Sequence, residues 1–150
     1  MKTTPTVIPG LRSPYEQLGG IVHFPRMLDK IRLHREGKLP PDWVSAKGSE
    51  KGFDGRCCRF LGVGYSAIEA ETLKGGSDES ILAWTRANGR SLSDEDIEYW
   101  NAFAMKMGWR DKYIERVHMR LGEVGLPLDR VVTMFDFIDL DEGRALRYPA

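Results

Sequence analysis

The sequence predicts an all-α protein: a single domain of about six short helices, with an irregular N-terminal arm over residues 1–23 and a long loop at about 38–55. Three observations predict it. Apolar residues recur at three- and four-residue spacing in segment after segment, which is the period of one helix face. Alternating strand patterns, Asn-Gly hairpin turns and a βαβ rhythm are missing. Glycine and proline, 16 and 8 of 150 residues, cut the chain into pieces too short for long helices.

Pro5, Pro9, Gly10, Pro14 and Gly19-Gly20 make the arm irregular, with at most a turn of helix at Tyr15 to Leu18. Pro25 opens the first helix, because its fixed φ and missing N–H suit a first turn. Phe24, Met27, Leu28 and Ile31 form its stripe and Gly37 stops it. The next stretch holds Pro40-Pro41, Gly48, Gly52 and Gly55, and connections of that length are often functional or mobile. A short apolar element follows at Arg56 to Leu61, and Ser66 to Leu73 reads as a helix closed by Gly75-Gly76.

Ser77 and Asp78 can cap a helix carrying Ile81, Leu82, Trp84 and Thr85. Ser93, with Asp96 three residues on, is an acidic variant of the capping box. The stripe behind it is Ile97, Trp100, Phe103, Ala104 and Met107. Asp111 can cap a helix with Tyr113, Ile114, Val117, Leu121 and Val124 on its apolar face. The last element, Asp129 to Leu140, keeps helical spacing through Val131, Phe135 and Ile138; its β-branched content would also suit a strand, and helix is favoured.

Composition excludes several classes. With 41% hydrophobic and 29% charged residues the chain can bury a core, and 22 basic against 22 acidic residues give no basic excess of the kind nucleic acid draws. The neutral total hides a polarity: residues 1–75 carry a net +4 and residues 76–150 a net −4. The start of the chain lacks the apolar core of a signal peptide, and no uncharged run approaches a membrane span of roughly 18 residues. A cytoplasmic protein with neither membrane nor nucleic acid as partner is expected. The adjacent Cys57-Cys58 suits free structural thiols better than a disulfide or a zinc site.

Two constellations could carry chemistry. On the first helix Asp29 lies three residues from both Arg26 and Arg32, beside Lys30. Such flanking favours the ionised carboxylate, and the cations could grip an anion; an ion-pair ladder on a solvated face is the plainer alternative. The second is Glu115-x-x-His118, with Asp111 one turn earlier. Di-iron carboxylate bundles use such a unit in each of two helices, and here it occurs once, so neither metal nor cofactor is expected. The acidic string Asp136, Asp139, Asp141 and Glu142 lacks the spacing of a calcium loop and reads as a solvated helix end. Trp84, Trp100 and Trp109 read as core residues. P-loop, dinucleotide, Gly-x-Ser-x-Gly and His-Glu-x-x-His signatures are absent.

Leu11-Arg12-Ser13-Pro14, Leu18-Gly19-Gly20, Pro25-Arg26-Met27-Leu28-Asp29-Lys30, Phe60-Leu61-Gly62 and Ser77-Asp78 with Ile81-Leu82-Ala83-Trp84 give the chain a likeness. It resembles, over nearly its whole length, a bacterial family described as domain of unknown function 5069. The resemblance implies a cytoplasmic single-domain protein and marks Pro25 to Lys30 as a signature segment; it carries no activity, cofactor or catalytic residue.

Two functions fit these readings. The favoured one is a helical binding or protein-interaction module without assigned chemistry, with a homo-oligomer or a small molecule as partner. The alternative is a small-molecule-binding enzyme with a charged pocket between the first helix and the Glu115/His118 helix, its ligand held by Arg26, Asp29, Lys30, Glu115 and His118.

Overall fold

Local chemistry at residues 13–25 decides how the chain enters its first helix. In the computed structural model, which describes residues 5–148, Gln17–Leu18 (β1) and Ile21–Val22 (β2) form a two-stranded antiparallel hairpin, pairing Gln17 with Val22 and Leu18 with Ile21. Gly19 and Gly20 both have positive φ, +60° and +80°, as a tight two-residue hairpin turn demands. This corrects the turn of helix expected at Tyr15 to Leu18: Gly-Gly between Leu18 and Ile21 is a hairpin signal, here masked by the brevity of the strands. Side chains of the sixth helix then anchor the hairpin. Trp100 Nε1 donates to the Val22 carbonyl at 3.1 Å, and Asn101 accepts from Val22 N at 3.1 Å while donating to the Gly20 carbonyl at 2.8 Å.

Eight helices occur among the described residues: α1 Phe24–Arg35, α2 Pro41–Ala46, α3 Phe53–Leu61, α4 Tyr65–Thr72, α5 Asp78–Asn88, α6 Asp94–Lys106, α7 Ile114–Glu123 and α8 Met134–Asp141. The all-α expectation holds, with the tiny hairpin added. The expected loop at 38–55 contains α2, because Pro41 is a helix starter in the first turn as well as a breaker, and α3 begins at Phe53. Gly55 lets α3 begin there: a Cβ at this position would come within 2.5 Å of Glu50 Cα and the Ser49 carbonyl. Two of the three expected caps form; Asp111 lies three residues ahead of α7, whose N-cap is Tyr113, and its carboxylate instead accepts from Gly108 N and Tyr113 N in the preceding turn. Ser77 accepts from Ser80 N at 3.2 Å, and Ser93 and Asp96 exchange bonds of 2.9 and 3.0 Å. The last segment is helical, but it starts at Met134 on the Thr133 cap, five residues later than Asp129.

The chain divides into two compact units, Gly10–Asn101 and Met1–Pro9 with Ala102–Ala150. In the first, α1 contacts β1, α2 and α4, while α4 also packs against α3 and α5. Phe24, Met27, Leu28 and Ile31 of α1 are all buried, with Leu61, Ile68 and Ile81 from α3, α4 and α5. Burying each such side chain contributes about 2 kcal/mol.

In the second unit α7 packs on α8, and Met134 N donates to the Met107 carbonyl at 2.9 Å. Gly108 (φ +110°) permits this approach, since a Cβ there would lie 2.5 Å from the Val132 carbonyl oxygen. The acidic string is not a solvated helix end. Asp136, Asp139, Asp141 and Glu142 are all buried; the chain turns back at Gly143 (φ +81°), and Arg144 Nη1 bonds Asp139 at 3.1 Å and Glu142 at 2.8 Å. Trp109, expected in the core, is 49% exposed beside the Arg110 guanidinium, and Phe103 leaves the predicted stripe of α6 for the surface. No described helix is long and apolar enough to cross a membrane.

Candidate functional site

The hairpin delivers the chain into His23, the N-cap of α1, at φ 70°. A non-glycine residue in this left-handed region costs on the order of 1 kcal/mol and persists only where its surroundings over-determine it. Here they do. His23 N donates to the Pro14 carbonyl at 2.9 Å, the His23 carbonyl accepts from Met27 N at 3.0 Å, and the ring lies 5.5 Å from that of Phe53.

The imidazole is buried and its Nε2 lies 2.7 Å from Asp54 Oδ1. Lys30, seven residues after His23 and so two turns along the same face, sets its Nζ 2.8 and 2.7 Å from the two Asp54 oxygens. Gly48 N completes the shell, donating to Asp54 Oδ2 at 2.9 Å. Asp54 sits in the first turn of α3, where the helix dipole also favours a negative charge. Its carboxylate, 2% exposed, thus accepts four hydrogen bonds.

Burial alone would raise the Asp54 carboxyl. The Lys30 charge and the bonds from His23 and Gly48 outweigh it and hold the group well below the usual carboxylate range. Burial drives His23 the other way, down to about 4, against the opposing pull of Asp54 and with the help of the Lys30 and Arg26 charges. At neutral pH the cluster is therefore Asp54 anion, Lys30 cation and neutral His23. An ionised partner at Nε2 fixes the tautomer with its proton there, so Nδ1 is an acceptor. Nδ1 is buried and has no hydrogen-bond partner.

The cysteines beside the cluster are inert. Both are free and buried, as the sequence suggests, and Cys58 Sγ contacts Met27 Sδ at 3.7 Å. Burial pushes both thiols up, Cys58 to about 12 and Cys57 well above its ordinary value, with Asp54 adding to the effect. Neither supplies a thiolate at neutral pH.

A second network lies on the other flank of α1. Arg12 grips Asp29 with Nε and Nη2, both at 2.9 Å, while its backbone N donates to the same carboxylate at 2.9 Å. Asp78 joins Arg12 Nη1 at 2.8 Å and Arg32 Nη1 at 2.6 Å. Arg26 Nη1 donates to the Arg12 carbonyl at 3.1 Å. The bonds of Asp29 thus come from a residue 17 positions away, and the flanking expected from Arg26 and Arg32 is replaced by long-range pairing.

Of the residues singled out in the sequence, Arg26, Asp29 and Lys30 all enter these networks. Glu115 and His118 lie on α7 in the other unit, Glu115 exposed and His118 half-buried. No group of three or more potential metal ligands occurs among the described residues. His23, Asp54 and Arg12 escaped sequence reasoning. Arg12 does stand in the Leu-Arg-Ser-Pro stretch that carries the family likeness, and Asp54 in the first turn after Gly52 is an ordinary helix-start signal.

The model of DUF5069, a domain of unknown function, matches residues 8–144. The chain belongs to this family. The match takes in both networks and all eight helices. No curated protein is significantly similar to the chain.

Proposed function

We propose that the Gly10–Asn101 unit is a small-molecule-binding module whose site is the His23–Asp54–Lys30 cluster. One observation carries the reading: a buried acceptor, His23 Nδ1, is left without a partner on a ring that Asp54 holds at Nε2 and Phe53 flanks. Buried polar atoms without partners cost about 1–3 kcal/mol each. Holding one on a left-handed backbone adds to that cost, and the combination is characteristic of a site kept ready for a ligand. Binding rather than catalysis is favoured because the nearby thiols are raised and the Asp54 and Lys30 charges are spent on each other.

Fragment screening with the imidazole nitrogen resonances of His23 as readout tests this. Hits should move Nδ1 in the wild type and lose affinity in His23→Gln, whose amide can keep the bond to Asp54 but offers no acceptor in place of Nδ1. A screen whose hits all leave the His23 nitrogens unmoved would end the proposal.

A further inference from the structure

The unpartnered nitrogen cannot be reached as the chain stands. His23 and Asp54 are each 2% exposed and Lys30 12%. Something must open, and the elements around the cluster differ sharply in what opening would cost. The hairpin, α1 and α3 bury large apolar side chains. By contrast, not one residue from Pro41 to Phe53 is buried.

The end of this segment is tied to α3, where Gly55 N donates to the Ser49 carbonyl at 3.0 Å, Arg56 Nε to the Lys51 carbonyl at 3.2 Å and Arg59 Nη2 to the Glu50 carbonyl at 2.7 Å; its remaining polar ties fall on the site or its immediate border. Gly48 N bonds Asp54 itself. Lys47 Nζ pairs with Glu69 Oε2 at 2.5 Å and lies 5.5 Å from the centre of the Tyr65 ring. Gly48 (φ +73°) rests on that ring so closely that a Cβ would come within 2.7 Å of it. Tyr65 Oη is a second buried atom without a hydrogen-bond partner. Gly37 (φ +69°), with open space around it, precedes the segment, and Leu39 between them is buried. Segments with little apolar burial and few ties open first in native proteins.

The charges inside restrict what can enter. Lys30 and Asp54 neutralise each other, and His23 is neutral with a buried acceptor, Nδ1, left over. An ionic ligand would bring an unpaired charge into a buried site, which is heavily penalised. A neutral donor would complete the Nδ1 shell at no such cost.

Resting on the binding reading above, we propose that residues 41–52 are a lid over the His23–Asp54–Lys30 cluster, and that it admits a small uncharged ligand whose hydroxyl or carboxamide donates to His23 Nδ1. Closure over the ligand re-forms the Gly48–Asp54 bond and the Lys47–Glu69 pair, so occupancy and lid closure are coupled.

Hydrogen exchange and nitrogen NMR on the full chain, with acetamide as probe and acetate and methylammonium as charged comparators, test both parts. Corrected for intrinsic rates, amides of residues 41–52 should exchange at least about 30-fold faster than those of α1 and α3. Glu69→Gln, which loosens Lys47 without touching the cluster, should widen that gap. Acetamide should move His23 Nδ1 and slow exchange in the segment, and the two ions should do neither. Exchange in 41–52 as slow as in α3 would overturn the lid even where acetamide still moves Nδ1. A rapidly opening segment with an Nδ1 that acetamide does not move would overturn the ligand class. An equal response to acetate would overturn the requirement for a neutral ligand.

Discussion

Two polar networks flank the same helix, and they are built on opposite plans. Around Asp29 and Asp78, arginines reach in from the surface: Arg12 is 37% exposed and Arg32 31%, and the two carboxylates are gripped along their edges. Around Asp54, the side-chain partners His23 and Lys30 come from the interior, and one backbone N–H, from Gly48, comes from the thinly buried segment above it. The first is a clasp that joins the N-terminal arm to α1 and to the start of α5. The second is a sealed cluster whose carboxylate is saturated while one imidazole nitrogen is left over. Exposure decides the difference, because water can satisfy what the arginine clasp leaves unbonded and cannot reach what the buried cluster leaves unbonded.

The comparison breaks most visibly at Asp54. Asp54→Ala strands a buried Lys30 cation and removes the partner of His23 Nε2, and deleting one member of a buried pair costs about 3–5 kcal/mol. Urea unfolding should show a loss of unfolding free energy of that size. A loss below about 1 kcal/mol would mean that Lys30 finds water, and that the cluster is no more sealed than the clasp.

Acid separates the networks next. Folded His23 is pushed down to about 4 from an ordinary 6.5, so the native chain binds fewer protons than the unfolded one across that window. Stability is therefore complete above pH 6.5 and declines as pH falls toward 4, by on the order of 3 kcal/mol. Asp54 is held low, so its contribution is lost only at still lower pH. The same holds for Asp78, where Arg12 and Arg32 overcome the effect of burial. The groups facing His23 are Asp54, Lys30 and Arg26, and of these only Asp54 favours the imidazolium. Unfolding measured between pH 7 and 4.5 should slope in the wild type and flatten in His23→Gln; parallel slopes would remove His23 as the cause.

How far the sequence reveals all this follows the range of the interactions. The starts of α5 and α6 are legible because Ser77 and Ser93 act within three residues, and the apolar stripe of α1 is legible because the helix repeat is local. Thr133 is as good a cap, but Asp129 to Val132 continue the apolar spacing upstream and hide it. Arg26, Asp29 and Lys30 stand out by charge, yet their partners lie at Arg12 and Asp54, which no spacing on one helix discloses. His23 is the extreme case. Its meaning depends on a left-handed φ set by the hairpin and on a carboxylate 31 residues later. The burial of Asp139 and Glu142 was hidden for a similar reason: a string of carboxylates looks solvated until the chain reverses and brings Arg144 onto it.

The gentlest test concerns the clasp. Asp29→Asn keeps the shape of the side chain and an acceptor for Arg12, but withdraws the charge from a paired grip that includes a backbone N–H. Arg12 retains Asp78 and access to water, so the loss should be about 1 kcal/mol, as for a partly exposed charged pair. Asp78→Asn should cost a similar amount. The double variant should cost more than the sum, because Arg12 then loses both carboxylates at once. Neither single variant should alter the His23 nitrogen resonances, since the atoms that hold the ring belong to the other network. Chemical denaturation with the same nitrogen spectra checks both statements. A shift of His23 Nδ1 in Asp29→Asn would show that the two sides of α1 are coupled, and the clasp would then belong to the site.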